Sequence, residues 1–183
     1  MAQEVEVTAN RLVGRQLHGV RYYEIPFGLT DTRPWDHAIA HVLDYGLDLE
    51  TDQGIVGITW AQYESFGYAL DIVAFPLLDV RANEVQVSRV EEHPPWDRLL
   101  GPVIRRVEIE WYENPWGGEP ESAPVALSLQ FESGESPAVV CGGWNGPDQP
   151  IFPTGNDIVA LWRPECLPSL VPYLTNQLLG PPA

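Results

Sequence analysis

Residues 45–60 read YGLDLETDQGIVGITW, and the order of apolar and acidic residues in this stretch decides the fold class. Tyr45, Leu47 and Leu49 alternate with Asp48, Glu50 and Asp52, the two-residue period of a strand with one buried and one wet face. Asp52-Gln53-Gly54 supplies turn chemistry, and Ile55–Trp60 returns as the partner strand. The stretch predicts an antiparallel hairpin with an acidic outer face.

Upstream, Gln16–Ile25 reads as a strand, closed by Pro26-Phe27-Gly28 and Asp31-Thr32-Arg33-Pro34. Trp35 to Leu43 places Trp35, Ile39, Val42 and Leu43 on one face at helical spacing and predicts a short helix. Downstream, Ala69–Leu77 is a strand that Pro76 ends or places at an edge, and Glu84–Glu91 is a further strand. A second helix is expected over Pro95–Arg106, with Gly101-Pro102 as its breaker.

Val107, Ile109 and Trp111 then alternate with Glu108, Glu110 and Tyr112, a second acid-faced strand. Residues 114–124, rich in Pro, Gly and Glu, read as a flexible insertion. Ala126–Ser133 and Pro137–Gly142 form a hairpin pattern, Asp157–Trp162 another strand, and Leu167–Leu179 a C-terminal helix that Pro172 kinks or starts. Strands outnumber helices and tight turns join them. The expected fold is therefore α+β, mainly antiparallel, with two or three short helices in a single domain over residues 1–183.

Short motifs recur in order. Pro34-Trp35-Asp36, Leu47–Glu50, a hairpin ending in Trp60 and Asp71-Ile72-Val73 are echoed by Pro95-Trp96-Asp97, Val107–Glu110, a hairpin ending in Trp144 and Asp157-Ile158-Val159. This echo suggests an internal repeat of residues 34–77 and 95–162.

Composition bounds the partners. The chain has 26 acidic residues against ten basic ones, all arginine, for a net charge of −16. Lysine is absent, so there is neither a Schiff-base nucleophile nor a P-loop lysine. Nucleic acid and anionic membranes are disfavoured partners, because both are recognised through cationic side chains. No apolar run is long enough to cross a bilayer and the N-terminus has no signal-peptide pattern, so a cytoplasmic location is expected. Cys141 and Cys166 are too few for a disulfide framework, and Cys141 follows the apolar run Ala138-Val139-Val140, the place of a buried thiol.

Two constellations carry alternative chemistry. His37 and His41, four apart on the expected helix, would share a face and form half of a metal site, the basis of a small enzyme or metal-binding protein. Trp116 and Trp144, in Gly/Pro-rich loops, would serve a ligand- or carbohydrate-binding module. No nucleophile-elbow, zincin, Cys-x-x-Cys, dinucleotide or P-loop pattern is present, and no cofactor is called for.

The leading expectation rests on Asp48, Glu50 and Asp52 on one strand and Glu108 and Glu110 on another. Together with Trp116 and Trp144 they would form a docking surface for a basic protein. In size, acidity, lack of a targeting signal and lack of a catalytic signature the chain resembles the small bacterial immunity proteins. Those neutralise cationic toxins such as nucleases. The resemblance is one of class, carried by composition and the acid-faced strands, and it implies a non-enzymatic toxin inhibitor.

Overall fold

The computed structural model describes residues 2–25, 36–37, 40–63, 67–78, 85–114, 121–143 and 152–162. Among them one α-helix precedes eleven strands: α1 (Ala2–Ala9), β1 (Leu17–Glu24), β2 (Asp36–His37), β3 (Ala40–Leu43), β4 (Gly46–Thr51), β5 (Gly54–Tyr63), β6 (Gly67–Val73), β7 (Gln86–Arg89), β8 (Ile104–Asn114), β9 (Glu121–Phe131), β10 (Ala138–Gly143) and β11 (Phe152–Leu161). They form a five-stranded sheet in the order β6-β5-β4-β1-β7 and a six-stranded sheet in the order β2-β3-β11-β10-β9-β8. Neighbouring strands in both sheets run antiparallel.

The hairpin of residues 45–60 forms, but Tyr45 packs with Tyr23 and Leu77 rather than with Leu47 and Leu49, and Asp48 is buried instead of facing solvent. β4 pairs with β5 from Gly46↔Thr59 to Thr51↔Gly54, and Gly54 closes the turn at φ 131°, a conformation that suits a residue without a side chain. Leu47 and Leu49 of β4, Val20 and Tyr22 of β1, and Ile58 of β5 point to one side of the first sheet. Leu127 and Leu129 of β9, Val139 and Cys141 of β10, and Ile158 of β11 meet them from the second. One shared core thus lies between two sheets, and each fully buried aliphatic side chain contributes about 1.5–3 kcal/mol. Val5 and Ala9 of α1 and the following Leu12, at helical spacing, join the same core.

Part of the far face of the second sheet is also apolar. Ala40 and Val42 of β3, Ala126 of β9, Ala138 and Val140 of β10, and Val159 and Leu161 of β11 form a second buried cluster on its far side. The far side of the first sheet carries a third, in which Leu77 packs with Tyr23 and Tyr45. Leu77 lies close against two strands: a Cβ added at Gly46 would sit 2.8 Å from Leu77 Cδ1, and one at Gly57 would sit 2.9 Å from both Leu77 Cδ2 and the Phe75 carbonyl oxygen. Residues 73–78 therefore act as a strap across β4 and β5, and it fits because those two positions carry no side chain.

The helix expectations need correction. Where the expected helix Trp35–Leu43 is described, Asp36–His37 and Ala40–Leu43 are strands, and all four residues of β3 are buried. A run without a wet face has no period that separates strand from helix. Pro95–Arg106 contains only a single 3-10 turn, Trp96–Arg98, after a cis Pro94–Pro95 bond; Gly101 at φ 91° ends the segment and Ile104 opens β8. The one α-helix among the described residues, Ala2–Ala9, lies where no helix was expected, although Val5, Ala9 and Leu12 carry the signal. The expected helix over Leu167–Leu179 lies outside the described residues. Of the expected insertion, Asn114 ends β8 and Glu121–Pro124 open β9, and residues 115–120 lie outside the described residues. For the repeat, Asp71 falls in β6, an outermost strand of its sheet, Asp157 in the interior strand β11, and Trp35 outside the described residues.

Gly46→Ala should cost about 1–3 kcal/mol in urea unfolding, because the new methyl displaces Leu77 or the Ile58 carbonyl while the strand conformation itself suits alanine. A stability unchanged within about 0.5 kcal/mol would show that the strap does not press on β4.

Candidate functional site

β4 and β8 belong to different sheets, so the acids expected to share one surface do not stand side by side. Asp48 is fully buried rather than solvent-facing. Its Oδ2 accepts a hydrogen bond from the Tyr23 hydroxyl at 2.5 Å and its Oδ1 one from the Leu77 backbone N–H at 3.1 Å. The strap over β4 turns what alternation marks as the wet face into a buried one, and Asp48 is the acceptor that satisfies it. Burial raises its pKa above the ordinary carboxylate value of 3.8, against the opposing pull of the Tyr23 and Leu77 hydrogen bonds.

Glu50 is half-buried and ion-paired with Arg21, with Arg89 at 3.6 Å from the same oxygen. Asp52 is exposed at the hairpin turn, where its Oδ1 accepts from the Gln16 backbone N–H at 3.3 Å. Glu108 pairs with Arg106 on the same strand. Glu110 is exposed. Trp116 and Trp144 lie outside the described residues.

The histidine expectation resolves differently. His41 is in β3, directly opposite Asp36 in the β2–β3 pair, and is 1% exposed. His37 lies in β2 opposite Ala40, so the two histidines stand on adjacent short strands rather than one helical face. His41 Nδ1 lies 2.6 Å from the hydroxyl of Tyr22 in β1, and that same hydroxyl accepts a hydrogen bond from Trp96 Nε1. Which of Tyr22 and His41 donates depends on the tautomer of the imidazole.

Four aromatic rings surround these bonds. Trp162 meets Trp96 edge-on at 4.8 Å and His41 at 5.1 Å, and Tyr22 meets His41 at 5.5 Å and Trp96 at 6.4 Å. Sequence spacing could not find this cluster: its members come from β1, β3, the 3-10 turn and the end of β11. Among the described residues no three His, Cys, Asp or Glu side chains gather in a metal-holding group.

Trp162 also lines an open cavity of about 180 Å³, together with Pro95, Leu99, Arg98, Glu135 and Ser136. Glu135 is held below the usual carboxylate range by its bond to Ser133 and its own backbone N–H, with Arg98 adding to the effect. The cavity offers one aromatic wall and a charged rim, enough to seat a small group. Cys141 is no nucleophile at neutral pH: burial, with Asp157 nearby, pushes its thiol up to about 12, and its Sγ donates to the Gly155 carbonyl at 3.3 Å.

No helix of the described residues is long and apolar enough to cross a membrane. Comparison with known families, curated proteins and solved structures finds no significant match to this chain.

Burial raises the pKa of Asp71 as well as that of Asp48, with Glu4 of α1 adding to the Asp71 shift. A carboxyl whose pKa is higher folded than unfolded keeps its proton to a higher pH in the native state. Stability is then lost as pH rises through the raised values and is regained toward 3.8. Urea midpoints should therefore be higher near pH 3.8 than near about pH 7.5 as far as these two groups act, and Asp48→Asn should flatten part of that slope. Asp48→Ala, which orphans the Leu77 N–H, should cost about 1–3 kcal/mol at either pH. An unchanged slope in Asp48→Asn would remove Asp48 from the account.

Proposed function

We propose that this chain is a non-enzymatic acidic protein that binds and neutralises a basic protein partner, in the manner of an immunity protein that inhibits a toxin. The observation that carries the reading is the imbalance of charge, 26 acidic residues against ten arginines. Arg21, Arg89, Arg105 and Arg106 are already engaged with Glu50, Glu91, Glu132 and Glu108, so pairing within the chain leaves the negative excess in place. Glu92 and Asp97 in the segment between β7 and β8, Asp52 at the hairpin turn and Glu110 on β8 are exposed, and they offer that excess to solvent.

Two of the acids first expected to dock have other work. Asp48 holds the strap and Glu50 holds two arginines, so reversing either would act on stability before it acted on binding. The contribution of exposed acids is to encounter: a field of one sign attracts an oppositely charged partner over the Debye length, about 10 Å at 0.1 M salt, and raises its association rate. A metal-dependent activity on His37 and His41 gains nothing from a buried His41 already bonded to Tyr22, and the carbohydrate reading rests on tryptophans outside the described residues.

The test is to recover the partner on the immobilised full chain and follow its association by stopped flow. The rate should fall at least about tenfold between roughly 50 and 500 mM salt while dissociation changes little. Glu92→Arg with Asp97→Arg should slow association and leave the melting temperature unchanged. A salt-independent association rate, with unchanged affinity in that double variant, would contradict the proposal.

A further inference from the structure

Among the described residues the two sheets end in β6, β7, β2 and β8. β2 has two residues and β7 has four, and β6 lies beside α1. β8 differs from all three: it runs for 11 residues, contains neither Pro nor Gly, and among the described residues pairs only with β9. At its start the other side is closed, since the Gly14 N–H donates to the Ile104 carbonyl and the Ile104 N–H to the Arg15 carbonyl, both at 2.8 Å. Beyond Ile104 no described strand lies along that side, and an unpaired edge of this length is a template for another chain.

The side chains say which chain. Val107, Ile109 and Trp111 pack against the shared core, so Arg106, Glu108 and Glu110 take the outer face. Arg106 is consumed by Glu108, and Glu110 has no cation within ion-pair distance among the described residues. A second copy of this chain fits poorly: antiparallel self-pairing that clears residues 14–16 centres on Ile109 and sets Glu108 against Glu110 twice.

We propose that the basic partner binds by strand addition, laying an extended segment along β8 over Val107–Trp111. Its backbone completes the free side of the strand, and its alternate Lys or Arg side chains meet Glu108 and Glu110 on the outer face, as cross-strand neighbours do. This inference rests on the basic-partner reading and adds to it the place and the mode of docking.

Two synthetic ten-residue peptides test it against the full chain: one alternates lysine and valine, and its twin carries an N-methyl group on every backbone nitrogen. The first should bind, slow amide exchange within β8, and lose roughly tenfold in affinity to Glu110→Arg. The N-methylated twin keeps every charge and should bind at least about tenfold more weakly, because it cannot complete the ladder. Equal binding of the two peptides, protection confined to residues outside β8, or no binding up to about 1 mM overturns strand addition. Equal binding that still weakens with salt would leave the basic-partner reading standing on its own test.

Discussion

One buried phenol joins the two sheets. The Tyr22 hydroxyl belongs to β1 in the first sheet, bonds His41 of β3 in the second, and accepts from Trp96 in the segment that crosses between them. All three residues are almost wholly excluded from water. Apolar packing between sheets is tolerant of sliding, because it rewards area rather than direction. A hydrogen-bonded trio in a dry core is not tolerant: each group left without its partner costs about 1–3 kcal/mol, so only one registration of the sheets satisfies all three. The aromatic rings around the trio fix the approach of β3 and of the end of β11, and the open cavity beside Trp162 is a consequence of where that ring is held.

The same logic governs the far side of the first sheet, with a carboxylate in place of the phenol. Asp48 takes one bond from Tyr23 and one from Leu77, and the glycines at 46 and 57 let the strap come close enough for the second. The cost of burying the charge appears as its raised pKa. A sequence rich in acids is therefore not a uniform acidic surface. Some of the negative charge is spent inside, some is matched by arginine along β1, β7 and β8, and the remainder, on turns and on the β8 edge, is what a partner can meet.

Much of the sheet was legible because alternation survives wherever one face is wet or lined by polar groups. Leu47 and Leu49 against Asp48 and Glu50, and Val107, Ile109 and Trp111 against Glu108 and Glu110, placed β4 and β8 correctly. β3 was misread because Ala40–Leu43 is covered on both sides and its apolar run has lost the period that distinguishes strand from helix. The meaning of Asp48 was hidden for a different reason. Alternation reports that a residue points away from one core, and it cannot report that a strap 29 residues onward builds another over it. The Tyr22, His41 and Trp96 trio was invisible because three distant segments supply it, and no local spacing encodes that meeting.

A single hydroxyl, and not only apolar area, fixes how the sheets meet. Tyr22→Phe removes that oxygen and almost nothing else, leaving Trp96 Nε1 and His41 Nδ1 buried against a ring edge. Equilibrium urea unfolding of this variant, set against the unsubstituted protein, is the direct measurement. The expected result is a loss of about 2–4 kcal/mol, from two buried polar groups each losing a partner, with the same dependence on urea. A stability within about 0.5 kcal/mol of the parent would mean that the sheets are registered by packing alone, and would contradict it.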